Sequence, residues 1–210
     1  MSEPTLPQAP SLRLAQVLAA RIAHDLGSPL GTLAGMLEML AGGDDAEMLA
    51  VARQAATDLR TRLALQRAAW GGGGEPADRD GLLALLGGST AAQRVRFDLA
   101  GPLFETAVDA ALVPLVLNAA LLAAEALPRG GVVTCSGSPR DLICLPEGRN
   151  ATWPAETLAL LSGRSPDPLA AGPRHIVGPL LLAQAAALGF DASLMPGMGP
   201  GLPALMLTRR

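Results

Sequence analysis

Apolar residues recur at helical spacing through the first seventy positions of this chain. At ~100° per residue, Ala15, Ile22, Leu26, Leu33, Leu37 and Leu40 gather on one side of a helix, the side that a fold must bury. The opposite side carries Arg13, Val17, Ala20, Arg21, His24, Gly27, Ser28, Gly31, Gly35 and Glu38, a face of small and polar groups. Ser11 is placed to cap the start of this helix, Ala41-Gly42-Gly43 stops it, and Met1 to Pro10 reads as a disordered lead-in. Asp44, with Glu47 three residues on, resembles a capping box. It opens a second helix reaching about Trp70, with Met48, Ala52, Ala55, Leu59 and Leu63 spaced as its seam. A connection this short makes the two helices antiparallel neighbours.

Gly71-Gly72-Gly73-Gly74-Glu75-Pro76 breaks the pattern, and with no Lys-Ser/Thr after it a phosphate cradle is not expected. From about Leu82 the periodicity alternates between helix and strand. A short helix to Leu86 is followed by a strand near 95–99, a long helix over 104–127, and strands near 132–136 and 142–145. Helices follow near 155–161 and 177–188, then strands near 192–195 and 204–208 flanking Pro196 to Gly201, a hairpin loop rather than a nucleotide site. The fold class expected is α plus α/β, divided into a lead-in (1–10), a helical hairpin (11–70), a linker (71–80) and an α/β domain (81–210). One hairpin buries too little of each stripe. The natural remedy is a two-fold dimer making a four-helix bundle; the alternative is packing of the hairpin on its own C-terminal domain alone.

Composition narrows the function. Half the residues are apolar, aromatics are 2% and the net charge is −3, so nucleic acid has neither a basic field nor stacking surfaces to bind. All 16 cationic residues are Arg, which excludes a P-loop lysine, a Schiff base and a protein-kinase lysine. The apolar run 110–127 is interrupted by Pro114, Asn118 and Glu125, so a buried helix is expected there and no membrane span. Residues 1–10 hold Glu3 and three prolines rather than a basic secretory leader, giving a cytoplasmic expectation. Cys135 and Cys144, with no His beside them, read as small core residues in neighbouring strands.

The chemistry concentrates around His24. An imidazole with an unperturbed pKa of ~6.5 is a competent nucleophile near neutral pH. Asp25 beside it either orients the ring, takes its proton, or is an ordinary solvated carboxylate. Pro29 cannot donate to the carbonyl of Asp25, so the helix should bend there. Glycine inside a helix costs roughly 1 kcal/mol against alanine. Gly27, Gly31 and Gly35 therefore serve either tight helix packing or the close approach of another molecule. Arg21, one turn before His24, is either a partner for phosphoryl oxygens or a solvated rim charge.

His24, Asp25, Leu26, Ser28, Pro29 and Leu30 together resemble the phosphoacceptor box of two-component histidine kinases. Leu115-Val116-Leu117-Asn118-Ala119-Ala120, closed by Ala126-Leu127-Pro128-Arg129-Gly130-Gly131, is similar to the N box of their ATP-binding sandwich. The departures are informative. Pro114 stands where that family has an acidic residue, Ile143 to Gly148 replaces the adenine-binding Asp-x-Gly-x-Gly, and the glycine-rich lid motif is missing. A degenerate ATPase-like domain that does not bind ATP is expected, with Asn118 a structural relic or a surface amide.

This combination resembles the ChpT-type histidine phosphotransferases of alphaproteobacteria. The resemblance implies a homodimer that accepts a phosphoryl group on His24, at Nε2, from the receiver domain of a hybrid histidine kinase. It then passes the group to the receiver domains of response regulators, an enzyme acting through phosphohistidine and not an ATP-dependent kinase. No cofactor of its own is implied, Mg²⁺ coming with the receiver. On this reading Ala20, Arg21, Gly27, Ser28 and Gly31 form the receiver-docking face, small so that the acidic pocket can reach the ring. The alternatives are an ATP-dependent histidine kinase with divergent nucleotide motifs, and a non-catalytic dimeric adaptor in which His24 is a passenger.

Overall fold

A computed structural model describes residues 10–40, 45–72, 74–165, 167–196 and 201–210. Helix α1 (Pro10–Leu40) packs along α2 (Ala46–Trp70). The start of α1 differs from expectation: the helix is already formed at Pro10, the first described residue, so Ser11 lies inside it and is not the cap. Proline suits a helix start because its missing N–H would have no partner there. The rest of the lead-in, 1–9, and the stop at 41–43 lie outside the described residues. The second cap is Asp45, whose carboxylate accepts from the N–H groups of Glu47 (2.8 Å) and Met48 (3.2 Å); Asp44 is outside the described residues.

Gly71 ends α2 by donating its N–H to Arg67 O. The α/β unit starts inside the stretch 71–80, because Ala77 pairs with Val108 and Asp78 caps α3 (Arg79–Gly87). Then come β1 (Val95–Ala100), α4 (Val113–Glu125), β2 (Gly131–Ser138), β3 (Asp141–Glu147), α5 (Ala155–Leu161), α6 (Val177–Ala187), β4 (Phe190–Met195) and β5 (Ala204–Arg209). Helix α4 begins nine residues later than the pattern over 104–127 predicts. Pro102–Phe104 form a 3₁₀ turn and Val108 is drawn into its bridge with Ala77. Pro114 sits in the first turn of α4, where it removes no helical bond.

The sheet runs β1-β2-β3-β5-β4, with β1 and β2 parallel and every other pair antiparallel. β1, α4 and β2 make one crossover unit, and α4 and α6 cover the sheet. The β4–β5 pairing makes the Pro196–Gly201 connection a hairpin; its middle, 197–200, lies outside the described residues. Cys135 and Cys144 face each other in register across β2 and β3, as free, fully buried thiols with Sγ atoms 2.9 Å apart.

Leu65 and Ala69 of α2 belong to the same core as α4 and the sheet, so the end of the hairpin is embedded in the α/β domain. Helix α1 is not. Among residues 12–40 only Pro29 is buried. Of its apolar stripe Ile22, Leu26, Leu33 and Leu40 are half-buried, while Ala15 and Leu37 are exposed. The α2 seam buries Ala52 and Ala55, half-buries Met48 and Leu59, and leaves Leu63 exposed. One neighbouring helix covers only part of an apolar stripe ≳ 100° wide. Among the described residues no helix is long and apolar enough to cross a membrane.

Candidate functional site

His24 projects from the middle of α1 with 75% of its side chain exposed. Its Nδ1 lies 3.2 Å from Oδ1 of Asp25, whose own side chain is only 12% exposed. The other carboxylate oxygen accepts from Arg21 Nε at 2.7 Å, one turn back on the same helix. Arg21 Nη1 in turn donates to the carbonyl of Arg174, 3.1 Å away in the turn before α6. An Arg–Asp–His chain thus runs from the C-terminal domain to the exposed ring. Arg21 is neither a solvated rim charge nor free on the surface: its side chain is pulled down into this ion pair.

Ala20, Gly27, Ser28 and Gly31 are all exposed around the ring, and Gly35 is half-buried. A Cβ built on Gly27, Gly31 or Gly35 would meet nothing within 4 Å. Tight packing inside this chain therefore gives these glycines no reason to be there. Helix α1 passes through Pro29 unbroken, and the effect of the proline shows in the hydrogen bonds. The carbonyl of Asp25, which would accept from residue 29, accepts instead from Arg62 Nη1 of α2 at 2.8 Å.

Below the ring, between the hairpin and the α/β domain, lies a cavity of about 100 Å³ lined by Arg21, Asp25, Arg62, Gln66, Arg94 and Glu125, among others. Burial pushes the Glu125 carboxyl up to about 7, against the pull of the Arg21 guanidinium and with some help from Glu156. Its Oε2 is 3.9 Å from His175 Nδ1, and neither atom has a hydrogen-bond partner. The hairpin is tied to the domain once more by Arg13 Nη1 on Asp167 Oδ2, a carboxyl held low by the Leu169 N–H and by Arg13. Sequence reasoning did not find Arg62, Glu125, Arg174 or His175. For Arg62 a signal existed. Pro29 orphans a carbonyl that needs a donor, and residues 25 and 62 lie nearly the same number of residues from the facing ends of α1 and α2, hence opposite one another in an antiparallel pair.

Asn118 is fully buried, so it is not a surface amide. Its Oδ1 accepts from Trp70 Nε1 (2.9 Å), and its Nδ2 is shared among Pro114 O (2.9 Å), Gln184 Oε1 (3.0 Å) and Ala69 O (3.1 Å). The amide binds α4, α6 and the end of α2 together. Both of its N–H bonds are committed to these acceptors, so it has none to offer a phosphate, and its oxygen, which keeps a second lone pair, is fully buried against Trp70 Nε1. Among the described residues no three His, Cys, Asp or Glu side chains gather as a metal site.

Residues 79–195, from α3 through β4, match the family described as Histidine phosphotransferase C-terminal domain. Over 192 residues the chain is 32% identical to Protein phosphotransferase ChpT of Brucella abortus (strain 2308), covering 85% of this chain and 88% of that protein. A bacterial phosphotransferase solved at 1.7 Å superposes with a TM-score of 0.76 at 25% identity, covering 98% of this chain and all of that one. At 85% of the chain the sequence match reaches into both the hairpin and the sheet, and the family match takes in α3 and every later helix and strand of the α/β unit except the last strand. The chain belongs to the ChpT-type histidine phosphotransferases.

Proposed function

We propose that this protein relays phosphoryl groups between receiver domains through His24. The observation that carries the reading is the exposed ring with Asp25 Oδ1 on its Nδ1. With Nδ1–H donating to that carboxylate, the tautomer assigned from this contact leaves the lone pair on Nε2, on the outer side of the ring. Nε2 attacks the phosphorus of a receiver aspartyl phosphate in line. The new bond is N–P, the bond broken is the acyl phosphate P–O, and the receiver carboxylate leaves with the electron pair. Asp25 stabilises the positive charge that develops on the imidazole, and Arg21 holds Asp25 from behind. Mg²⁺ held by the receiver would supply the charge neutralisation that the phosphoryl oxygens need. The step is reversible, so the same geometry returns the group to a second receiver.

The exposed small residues Ala20, Gly27, Ser28 and Gly31 serve as the docking face, where the receiver's pocket must close on Nε2. With Ile143 to Gly148 standing where the adenine-binding Asp-x-Gly-x-Gly would be and Asn118 fully buried, the phosphoryl group is expected from a receiver and not from ATP. The second copy in the reading rests on a separate observation. Leu12, Leu30 and Leu37 fall within about 20° of one another on α1, away from His24, and are 51%, 54% and 54% exposed. Leu49 and Leu63 of α2 are 39% and 41% exposed. Pairing two hairpins over these faces makes a four-helix bundle with a His24 on each outer side.

The test is transfer of label. A receiver domain charged with ³²P on its aspartate is mixed with the wild-type protein and with His24→Gln, and a parallel reaction contains labelled ATP alone. Label on the wild type from the receiver, none on His24→Gln and none from ATP is the expected pattern. Direct labelling from ATP would instead establish a kinase, and equal signalling by His24→Gln an adaptor.

A further inference from the structure

The hydrogen bonds of α1 around the phosphoacceptor contain one substitution of partner. In a regular helix residue 29 would donate its N–H to the carbonyl of Asp25, and Pro29 has no N–H to give. A half-buried carbonyl left without a donor is costly, and the donor comes from the other helix: Arg62 Nη1, at 2.8 Å. Residue 25 is consequently held at both ends. Its carbonyl is fixed by α2, while its carboxylate spans Arg21 Nε at 2.7 Å and His24 Nδ1 at 3.2 Å. Pro29 is the one residue of 12–40 that is buried, so the ring that creates the vacancy is itself packed in place. Arg21, Asp25 and Arg62 line the same cavity under the ring.

We propose that Arg62 is a positioning residue for phosphotransfer, standing in for the helical N–H that Pro29 removes and so fixing the peptide that carries Asp25. It touches neither phosphate nor receiver. It acts through Asp25 on the ring: when the carbonyl of Asp25 is held, the carboxylate stays on Nδ1 and Nε2 stays the nucleophile. This inference rests on the reading of His24 as the phosphoacceptor. It adds that the proline of the box and an arginine on the facing helix work as a pair.

The pairing makes the test specific. Arg62→Met keeps the apolar stem and removes every donor. In the natural background it should slow transfer about 10- to 100-fold, an effect of misplacing the reacting group, with the concentration of receiver giving half-maximal rate unchanged. In a Pro29→Ala background, where residue 29 again has an N–H for Asp25 O, the same substitution should cost less than about threefold, because the two sites share one acceptor. Arg62→Lys, which retains a donor, should recover part of the loss and guards against a variant that fails to fold. A second readout needs no transfer at all: ¹⁵N NMR of the His24 ring should show the Nδ1–H tautomer depleted by Arg62→Met and restored when Pro29→Ala is added.

Equal losses in the two backgrounds, or a ring tautomer indifferent to Arg62, would overturn the positioning role while leaving the relay intact. A wild-type protein that takes no label from any receiver would instead overturn the relay reading, and the tautomer measurement distinguishes the two failures.

Discussion

Replacing Gly31 with leucine should make this protein more stable and less active at once. Gly31 is exposed in the interior of α1, seven residues beyond His24, and a Cβ there meets nothing within 4 Å. The added Cβ brings no clash. Glycine is about 0.8–1.0 kcal/mol worse than alanine in a helix interior, and leucine is close to alanine. The variant should therefore gain roughly 0.8 kcal/mol, which for a chain of this length raises Tm by about 2–3 °C. The new side chain stands on the face where the receiver must close over Nε2. Holding the donor off by an ångström is enough to lose on the order of 100-fold in rate. Thermal unfolding and single-turnover transfer from a phosphorylated receiver read the two effects separately, with sedimentation showing the oligomer unchanged. Normal transfer by Gly31→Leu would refute the docking argument. A lower Tm would show that the glycine serves packing after all.

Three further outcomes follow from the geometry. Asp25→Asn removes the charge that holds Nδ1–H and leaves Arg21 without its ion-pair partner; transfer should fall by about 100-fold or more in a rapid-quench assay, and a fall under threefold would contradict the role of Asp25. Glu125→Gln should abolish a pH dependence of stability. The folded chain keeps the Glu125 carboxyl protonated up to about 7 and the unfolded chain only to its ordinary 4.5, so the native state holds the extra proton between those values and stability falls as pH rises through them. That displacement corresponds to about 3 kcal/mol at most, which urea unfolding at pH 5 and pH 8 should find in the wild type and not in the variant. Leu37→Asp places a charge on the exposed apolar face of α1; losing two buried leucines per two-fold interface weakens self-association by roughly 3 kcal/mol or more, about 100-fold in Kd, and sedimentation equilibrium with no change would reject that face as the contact.

Much of the fold was legible because its signals are local. The glycine break begins where α2 ends, and the strands expected near 132–136 and 142–145 fall inside β2 and β3. The start of α4 is misread from the sequence because Phe104, Val108 and Ala111 carry the helical spacing back ahead of Val113. What separates helix from turn there is the bridge between Val108 and Ala77, a contact thirty-one residues away that no window contains. The surface-amide alternative for Asn118 fails for the same kind of reason: its partners Trp70, Ala69 and Gln184 come from other helices. At the site, the exposed ring and its small neighbours follow from helical periodicity alone. The engagement of Arg21 with Arg174 and of Asp25 with Arg62 depends on how the hairpin lies on the domain and along itself. Position on a face is a property of one helix; which donor reaches which acceptor is a property of two.

If His24 is the phosphoacceptor, the ring nitrogen pointing away from Asp25 carries the phosphoryl group. Heteronuclear ³¹P–¹⁵N NMR on ring-labelled protein, phosphorylated by its receiver, tests this at the atom: coupling of phosphorus to Nε2 of His24, with Nδ1 still protonated, is the predicted result. Phosphorus coupled to Nδ1, or found on any other residue while His24 stays unmodified, would contradict it.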